Sequence, residues 1–293
     1  MKIDLQIHST YSDGYYSPSK LAMLLHRYGI EVASLTDHNS IAGQVEFKKA
    51  CLRYGIKAVP GLELYASYNQ RYFNLLWYNY DTKSPELKQM LESTHIRRQR
   101  FVKKVNLRLR HLGLRFDLGK FIQEHPGYLP TNHLADAIWA VPMNRKVIKK
   151  ALQLEVVRED DIIRYCFYPK DGLRLHDARI GLNRILQMRK QIGGQLIVCH
   201  PALNNKMHGN LVEHLMAAGV DGFELLSPHH SYNDTMRLMS LAERTGAIVS
   251  GGTDFHRPGA QAGKLRYAWD WFTIKSEGLS GISKIINNKK NLG

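Results

Sequence analysis

Histidine, aspartate and glutamate recur directly behind short apolar runs along this chain of 293 residues. His8 and Asp13 follow Ile3–Ile7 in QIHSTYSDG, Asp37 and His38 follow Val32–Leu35 in SLTDHNS, and Glu63 lies near the end of the next run in VPGLELYA. Farther on come His200 in LIVCHPA, His229 and His230 in GFELLSPHHS, and Asp254 with His256 in VSGGTDFHRP. Taken singly, each is compatible with a turn or cap residue. Their recurrence at one topological place points instead to a multinuclear metal site. Imidazoles and carboxylates are ligands for zinc, manganese or iron, and a shared carboxylate can bridge two ions. Such ions would lower the pKa of bound water to near neutrality and neutralise charge on a phosphoryl oxygen during in-line displacement. Cys51, Cys166 and Cys199 lie far apart with no CxxC or CxxH spacing, so neither a disulfide framework nor a thiolate zinc site is expected.

The elements that must position these residues follow from periodicity. Strands are expected at Ile3–Ile7, Val32–Leu35, Lys57–Leu64 and Phe73–Tyr80, with helices from about Pro18 to Tyr28 and Ile41 to Tyr54. That order predicts a mostly parallel sheet or barrel with helices outside, where chemistry gathers at the carboxyl ends of strands. From Ser84-Pro85 the pattern turns helical, with Gly113 as a stop and further helices around His133–Leu154 and Ala178–Gln191. At Gly193-Gly194 the alternation resumes, with strands at Gln195–Cys199, Gly222–Leu226 and Ala247–Ser250. Helices over Leu211–Ala218 and Asp234–Thr245 separate them, Arg266–Ile274 reads as one more strand, and Ser280–Asn287 as a last helix. The expected organisation is one discontinuous α/β domain, residues 1–94 and 191–293, interrupted by a helical insertion at 95–190.

Charge follows the same division. The chain carries +15 overall, yet residues 95–190 hold 21 basic against 9 acidic side chains, whereas the two flanking segments are close to neutral. An anionic partner, met by a cationic rim of the site, is the functional reading; a solvated cationic helix face is the alternative. The stretch from Ser93 to Lys104 supports either, because Ile96 and Phe101, and later Val105, Leu107 and Leu109, run among the charges. No RRM signature is present, so any RNA contact is expected at backbone and strand ends. With 44% hydrophobic residues, global disorder is excluded. The start lacks a signal-peptide pattern and no run suffices for a spanning helix, which leads to the expectation of a cytoplasmic protein with no membrane association.

Placed in order, these residues resemble the polymerase and histidinol phosphatase (PHP) superfamily of metal-dependent phosphoesterases. The superfamily's opening D-L-H-x-H-S/T and S-D-G are approached by DLQIHSTYSDG, its T-D-H by Thr36-Asp37-His38, and its P-G-x-E by Pro60 to Glu63. Its H-P corresponds to His200-Pro201 and its D-x-H to Asp254 to His256. The basic helical insertion, with RRQR at Arg97–Arg100, is similar to the branch containing nucleotide phosphatases and a 5′-to-3′ exoribonuclease. The resemblance implies an α/β fold, a distorted (β/α)7 barrel of the PHP type with a helical insertion, and one to three divalent ions, manganese, iron or zinc. By the same resemblance His8, Glu63 and Asp254 hold one ion, Glu63 and His200 a second, and Asp13, His38 and His256 a third, with Glu63, His200 and Asp254 as the catalytic core. Asp37 orients its neighbour or caps the turn. His133 in PTNHLAD falls at a phosphate-contacting position and His230 on a loop bordering the pocket. Arg97, Arg100 and Arg257 are candidate phosphate holders.

Two ligand positions depart from the pattern. Gln6 stands where the first histidine of H-x-H is usual, and Asn74 where strand four usually carries one; amide oxygens bind borderline ions less well than imidazole. An arginine that commonly accompanies His133 is replaced by Thr131. The implied function is hydrolysis of phosphate esters of nucleotides or RNA 5′ ends through a metal-bound hydroxide, with reduced metal content. The alternative is an impaired PHP fold that binds nucleotides or RNA. A phosphorylated nucleotide or RNA 5′ end is the expected partner, and no obligate protein partner is.

Overall fold

Strand β1 (Lys2–Ile7) buries every residue after Lys2, as a strand covered on both faces requires. The computed structural model describes residues 1–125, 127–168, 179–203, 210–259 and 266–287. After β1 come α1 (Pro18–Arg27), β2 (Val32–Leu35), α2 (Gln44–Arg53), β3 (Lys57–Ala58), β4 (Gly61–Tyr68) and β5 (Arg71–Tyr78). Ser17 caps α1 by accepting from Lys20 N, with Pro18 in the first turn, where a missing N–H costs nothing. A helical series follows: α3 (Pro85–His111), α4 (Leu118–Glu124), α5 (Thr131–Ala140), α6 (Pro142–Leu152) and α7 (Glu159–Phe167). The chain then returns through β6 (Ile180–Gly181), α8 (Leu182–Ile192), β7 (Gln195–Val198), α9 (Leu211–Ala217) and β8 (Gly222–Leu226). It ends with α10 (Tyr232–Thr245), β9 (Ile248–Gly251), β10 (Ile274–Lys275) and α11 (Ser283–Ile286).

The strands form a four-stranded sheet in the order β10-β1-β2-β3 and a six-stranded sheet in the order β6-β4-β5-β7-β8-β9. The pairs β1–β2, β2–β3, β7–β8 and β8–β9 are parallel. Isolated bridges at Ile7↔Phe255 and His38↔Glu63 join the two sheets. The carboxyl ends of β1, β2, β7 and β9 therefore meet beside β4.

Several expected elements are reshaped, each for a local reason. The strand expected at Lys57–Leu64 is split into β3 and β4 at Val59-Pro60, where proline has no N–H for the ladder. β4 and β5 pair antiparallel in register from Gly61↔Tyr78 to Tyr68↔Arg71, closed by Asn69 and Gln70, both at positive φ, a two-residue primed turn. The helix expected over His133–Leu154 breaks at Val141-Pro142 and becomes α5 and α6. Of the strand expected at Arg266–Ile274 only Ile274 pairs, together with Lys275 in β10, after a 3-10 turn at Ala268–Asp270.

Two compact units result: Met1–Lys88 with Ile180–Gly293, and Gln89–Arg179, the first boundary falling inside α3. In the first, Ile7, Leu21, Leu25, Leu35, Phe47 and Phe255 lie in one buried cluster. In the second, Phe101, Val105 and Leu109 of α3 pack with Phe121, Leu134, Ile148 and Phe167, while Ile96 and Leu107 on the same helix stay exposed. Arg98 in this unit is buried. Its Nε donates to the Leu129 carbonyl at 2.8 Å and its guanidinium to Thr131, and its Cζ lies 5.2 Å from the centre of the Tyr128 ring. No helix among the described residues is long and apolar enough to cross a membrane.

Candidate metal centre

Two close backbone approaches shape the mouth of the first unit. A Cβ on Gly252, just past β9, would stand 2.3 Å from Gln6 Cβ, and one on Gly14 would stand 2.2 Å from the His8 carbonyl oxygen. Both glycines let loops press against β1. Asp4 adds a polar clamp by accepting from Thr253 N at 3.0 Å, Thr253 Oγ1 at 2.6 Å and Trp269 Nε1 at 2.7 Å. Asp37 accepts from Ser9 N and Oγ, both at 2.7 Å, and from Ser12 Oγ at 2.6 Å, so it organises the 9–13 loop that carries Asp13. His200 and Asp254 adopt φ of +27° and +51°. Non-glycine residues held there cost on the order of 1–3 kcal/mol each, a cost characteristic of functional sites.

On this frame His8, Asp13, His38 and His256 converge, and His8, Glu63 and Asp254 form an adjoining group. His256 Nε2 is 3.2 Å from Asp13 Oδ1 and His38 Nε2 is 3.4 Å from Asp13 Oδ2. His8 Nε2 lies 3.1 Å from both Glu63 Oε2 and Asp254 Oδ1, with its Nδ1 3.5 Å from Asp13. The His8 and His256 rings stack with centroids 4.1 Å apart. A third group joins Glu63, His200 and Cys199, with His200 Nε2 3.5 Å from Glu63 Oε1. All the sequence-expected metal ligands therefore gather here.

Electrostatics within the cluster are strongly mutual. Burial opposes ionisation of Glu63 and Asp254, yet the surrounding histidines hold both well below the usual carboxylate range. Burial likewise opposes a charged His8, but Asp254, Glu63 and Asp13 hold it well above its ordinary value. Burial pushes His38 the other way, down. Neither ring nitrogen of His8 makes a hydrogen bond of good geometry although the residue is wholly buried. Imidazole nitrogens set against carboxylate oxygens without such bonds are what divalent ions would link once they displace the ring protons, so the donor set fits zinc, manganese or iron.

The two departures point into the same cluster. Gln6 Nε2 donates to Glu63 Oε2 at 3.1 Å and to Asp254 Oδ1 at 2.9 Å, and Asn74 Nδ2 donates to Glu63 Oε1 at 2.7 Å. Each Glu63 oxygen thus takes an amide N–H. Gln6 Oε1 is buried without a hydrogen-bond partner.

The other candidates are distributed more widely. His230 turns away, its Nδ1 at 3.0 Å from the Leu225 carbonyl, and it is His229 whose Nε2 reaches Asp254 Oδ2 at 2.7 Å. The resemblance that places the SPHH loop beside the pocket does not say which of its two histidines faces inward. Arg257 is exposed and stacks over Tyr15, its Cζ 5.5 Å from the ring centre. His133, Arg97 and Arg100 belong to the Gln89–Arg179 unit. There His133 Nδ1 is 3.0 Å from His125 Nε2, Arg97 is half-buried and Arg100 exposed. Two buried residues were not foreseen. Glu224 accepts from His200 N at 2.9 Å, and burial raises its carboxyl well above the usual range. Cys199 was visible only as the neighbour of His200.

Residues 4–118 match the PHP domain profile. Over 265 residues the chain is 26% identical to a 5′-3′ exoribonuclease of Haemophilus influenzae, covering 88% of this chain and 90% of that protein. It is 27% identical over 266 residues to a 3′,5′-nucleoside bisphosphate phosphatase of Chromobacterium violaceum, covering 88% of each. An amidohydrolase from Chromobacterium violaceum, solved with bound sulfate and no metal, superposes with a TM-score of 0.77 at 21% identity, covering 98% of this chain and 96% of that one. With the ordered motifs, the gathered ligands and these likenesses together, the chain is an α/β protein of PHP-type fold whose residues 4–118 match the PHP domain.

Proposed function

We propose that this protein is a metal-dependent phosphoesterase that hydrolyses phosphate esters of nucleotides or RNA 5′ ends. The observation that carries this reading is the convergence of His8, Asp13, His38 and His256 beside His8, Glu63 and Asp254, with the ring nitrogens of a buried histidine left to face carboxylates. Relatives named as an exoribonuclease and a bisphosphate phosphatase, each matched over most of its length, supply the substrate class. Divalent ions, when bound, lower the pKa of water and neutralise charge on phosphoryl oxygens.

The chain's own residues do the rest. Asp13, His38 and His256 would hold one ion, His8, Glu63 and Asp254 a second position, and Glu63 with His200 a third. His229, hydrogen-bonded to Asp254 Oδ2 at the rim, fixes that carboxylate and offers a proton to a leaving oxygen. Arg257, propped on Tyr15, is the nearest exposed cation in sequence to this group and suits a phosphate oxygen. Ser9, Ser12 and Asp37 fix the loop of Asp13.

A second reading has its own support: Gln6 and Asn74 amides already donate to Glu63 and Asp254. Under it the protein binds phosphorylated nucleotides or RNA without cleaving them. Phosphate or mononucleotide release from nucleotides and 5′-phosphorylated oligonucleotides in manganese, lost in Asp13→Asn, is the outcome expected of the enzyme. Tight binding of the same oligonucleotides with no release in any divalent metal selects the second reading.

A further inference from the structure

Glu63, His200 and Cys199 form a ligand group in which the thiol is a full participant. Cys199 lies just beyond β7, where β5 and β7 pair as Leu75↔Val198 and Leu76↔Ile197. Continuing that register sets Cys199 across from Asn74, and the Cys199 N–H donates to the Asn74 carbonyl at 3.0 Å. Opposed residues of an antiparallel pair share a face of the sheet, so the thiol and the amide side chain both point at Glu63. Cys199 Sγ is 3.3 Å from Glu63 Oε1, and His200 Nε2 is 3.5 Å from the same oxygen. His200 Nδ1 is buried with no hydrogen-bond partner.

Those separations can be compared with what a zinc ion imposes. Bonds of about 2.0–2.2 Å to nitrogen and oxygen and about 2.3 Å to sulfur, at tetrahedral angles, set ligand atoms about 3.3–3.6 Å apart. The two separations to Glu63 Oε1 already have that length, and the ligand atoms of Cys199, Glu63 and His200 all lie within 4.8 Å of one another. The other cysteines are in different settings: Cys51 lies in the core cluster of the first unit and Cys166 in that of the second.

We propose that Cys199 is a metal ligand and that, with Glu63 and His200, it forms a thiolate-containing position selective for zinc or ferrous iron over manganese and magnesium. The proposal rests on the reading that the cluster binds divalent ions. Sulfur is the softest donor in the cluster, and soft donors favour these metals. Asn74 beside it contributes a neutral amide, so the thiolate supplies the negative charge that the amide does not. Binding replaces the thiol proton by the ion, and the proton leaves to solvent.

X-ray absorption at the zinc edge of the full-length, zinc-loaded protein is the first test, and it needs no variant. A sulfur scatterer at about 2.3 Å is the expected result. Cobalt substitution gives the second reading: a sulfur-to-cobalt charge-transfer band in wild type, absent in both Cys199→Ser and Cys199→Ala, while Cys51 and Cys166 remain in place. Metal content is measured alongside. Bound zinc with only nitrogen and oxygen scatterers overturns the thiolate position while leaving the metal reading intact. Failure to retain any divalent ion overturns both. A charge-transfer band that persists in both variants assigns the sulfur elsewhere and also overturns the proposal.

Discussion

The His256–Asp13 pair sits at 3.2 Å, and although burial opposes it, Asp13 pushes His256 up to about 9. In metal-free protein the folded state then keeps a proton that the unfolded histidine releases near pH 6.5. The stabilisation is complete below about pH 6.5 and is lost as pH rises through about 9, on the order of 3 kcal/mol in total. Metal loading reverses the sign, because ligands must shed protons to bind. Thermal melts should therefore lose stability from pH 6.5 to 9 after chelation and gain it when metal is present; parallel slopes in the two forms would refute the ligand assignment. Gln6 and Asn74 were legible in the sequence as departures, but not that both would donate to Glu63, since side-chain direction depends on how β1, β5 and β7 meet. Gln6→His combined with Asn74→His is expected to raise bound metal by roughly one ion per chain. Unchanged metal content on elemental analysis would mean those positions never limited binding.

At the level of elements, periodicity predicted β1, β2, β7, β8 and β9 well because each is a short stretch rich in apolar residues, alternating in β1 and nearly continuous in β7. The β4–β5 hairpin escaped because its turn is Asn69-Gln70, not a glycine-bearing pair. Gln70 sits at φ +62°, a conformation that costs a non-glycine residue about 1–2 kcal/mol. Gln70→Gly should therefore stabilise the protein by about 0.5–1 kcal/mol, read as a higher midpoint in urea; a lower midpoint would show that the Gln70 side chain contributes more than the strain. The insertion's arginines separate by role in a way the RRQR string conceals. Arg98 is buried and bonded to Leu129 and Thr131, so Arg98→Met should cost about 2–3 kcal/mol by leaving acceptors unpaired. Arg100 is exposed, and Arg100→Gln should leave the melting temperature unchanged. Equal losses in the two variants would contradict this division.

For the whole molecule, charge and chemistry occupy different parts of the chain. The candidate ligands all lie in the unit of Met1–Lys88 and Ile180–Gly293, whereas residues 95–190 carry 21 of the 41 basic side chains. A phosphate-contacting role for the insertion predicts that oligonucleotide affinity falls steeply between low and moderate salt, with a slope reduced by about one for each contacting cation removed. Affinity indifferent to salt would return that charge to a solvated surface. The central claim is that divalent ions in the Glu63 cluster make this protein a phosphoesterase. Its most direct test is elemental analysis and hydrolysis of a 5′-phosphorylated oligonucleotide on one preparation, before chelation, after it, and during stepwise return of manganese or zinc. Activity that disappears with the metal and returns in proportion to bound ion is the predicted result. Retention of less than about one ion per chain, with no hydrolysis at any metal concentration, would contradict the claim.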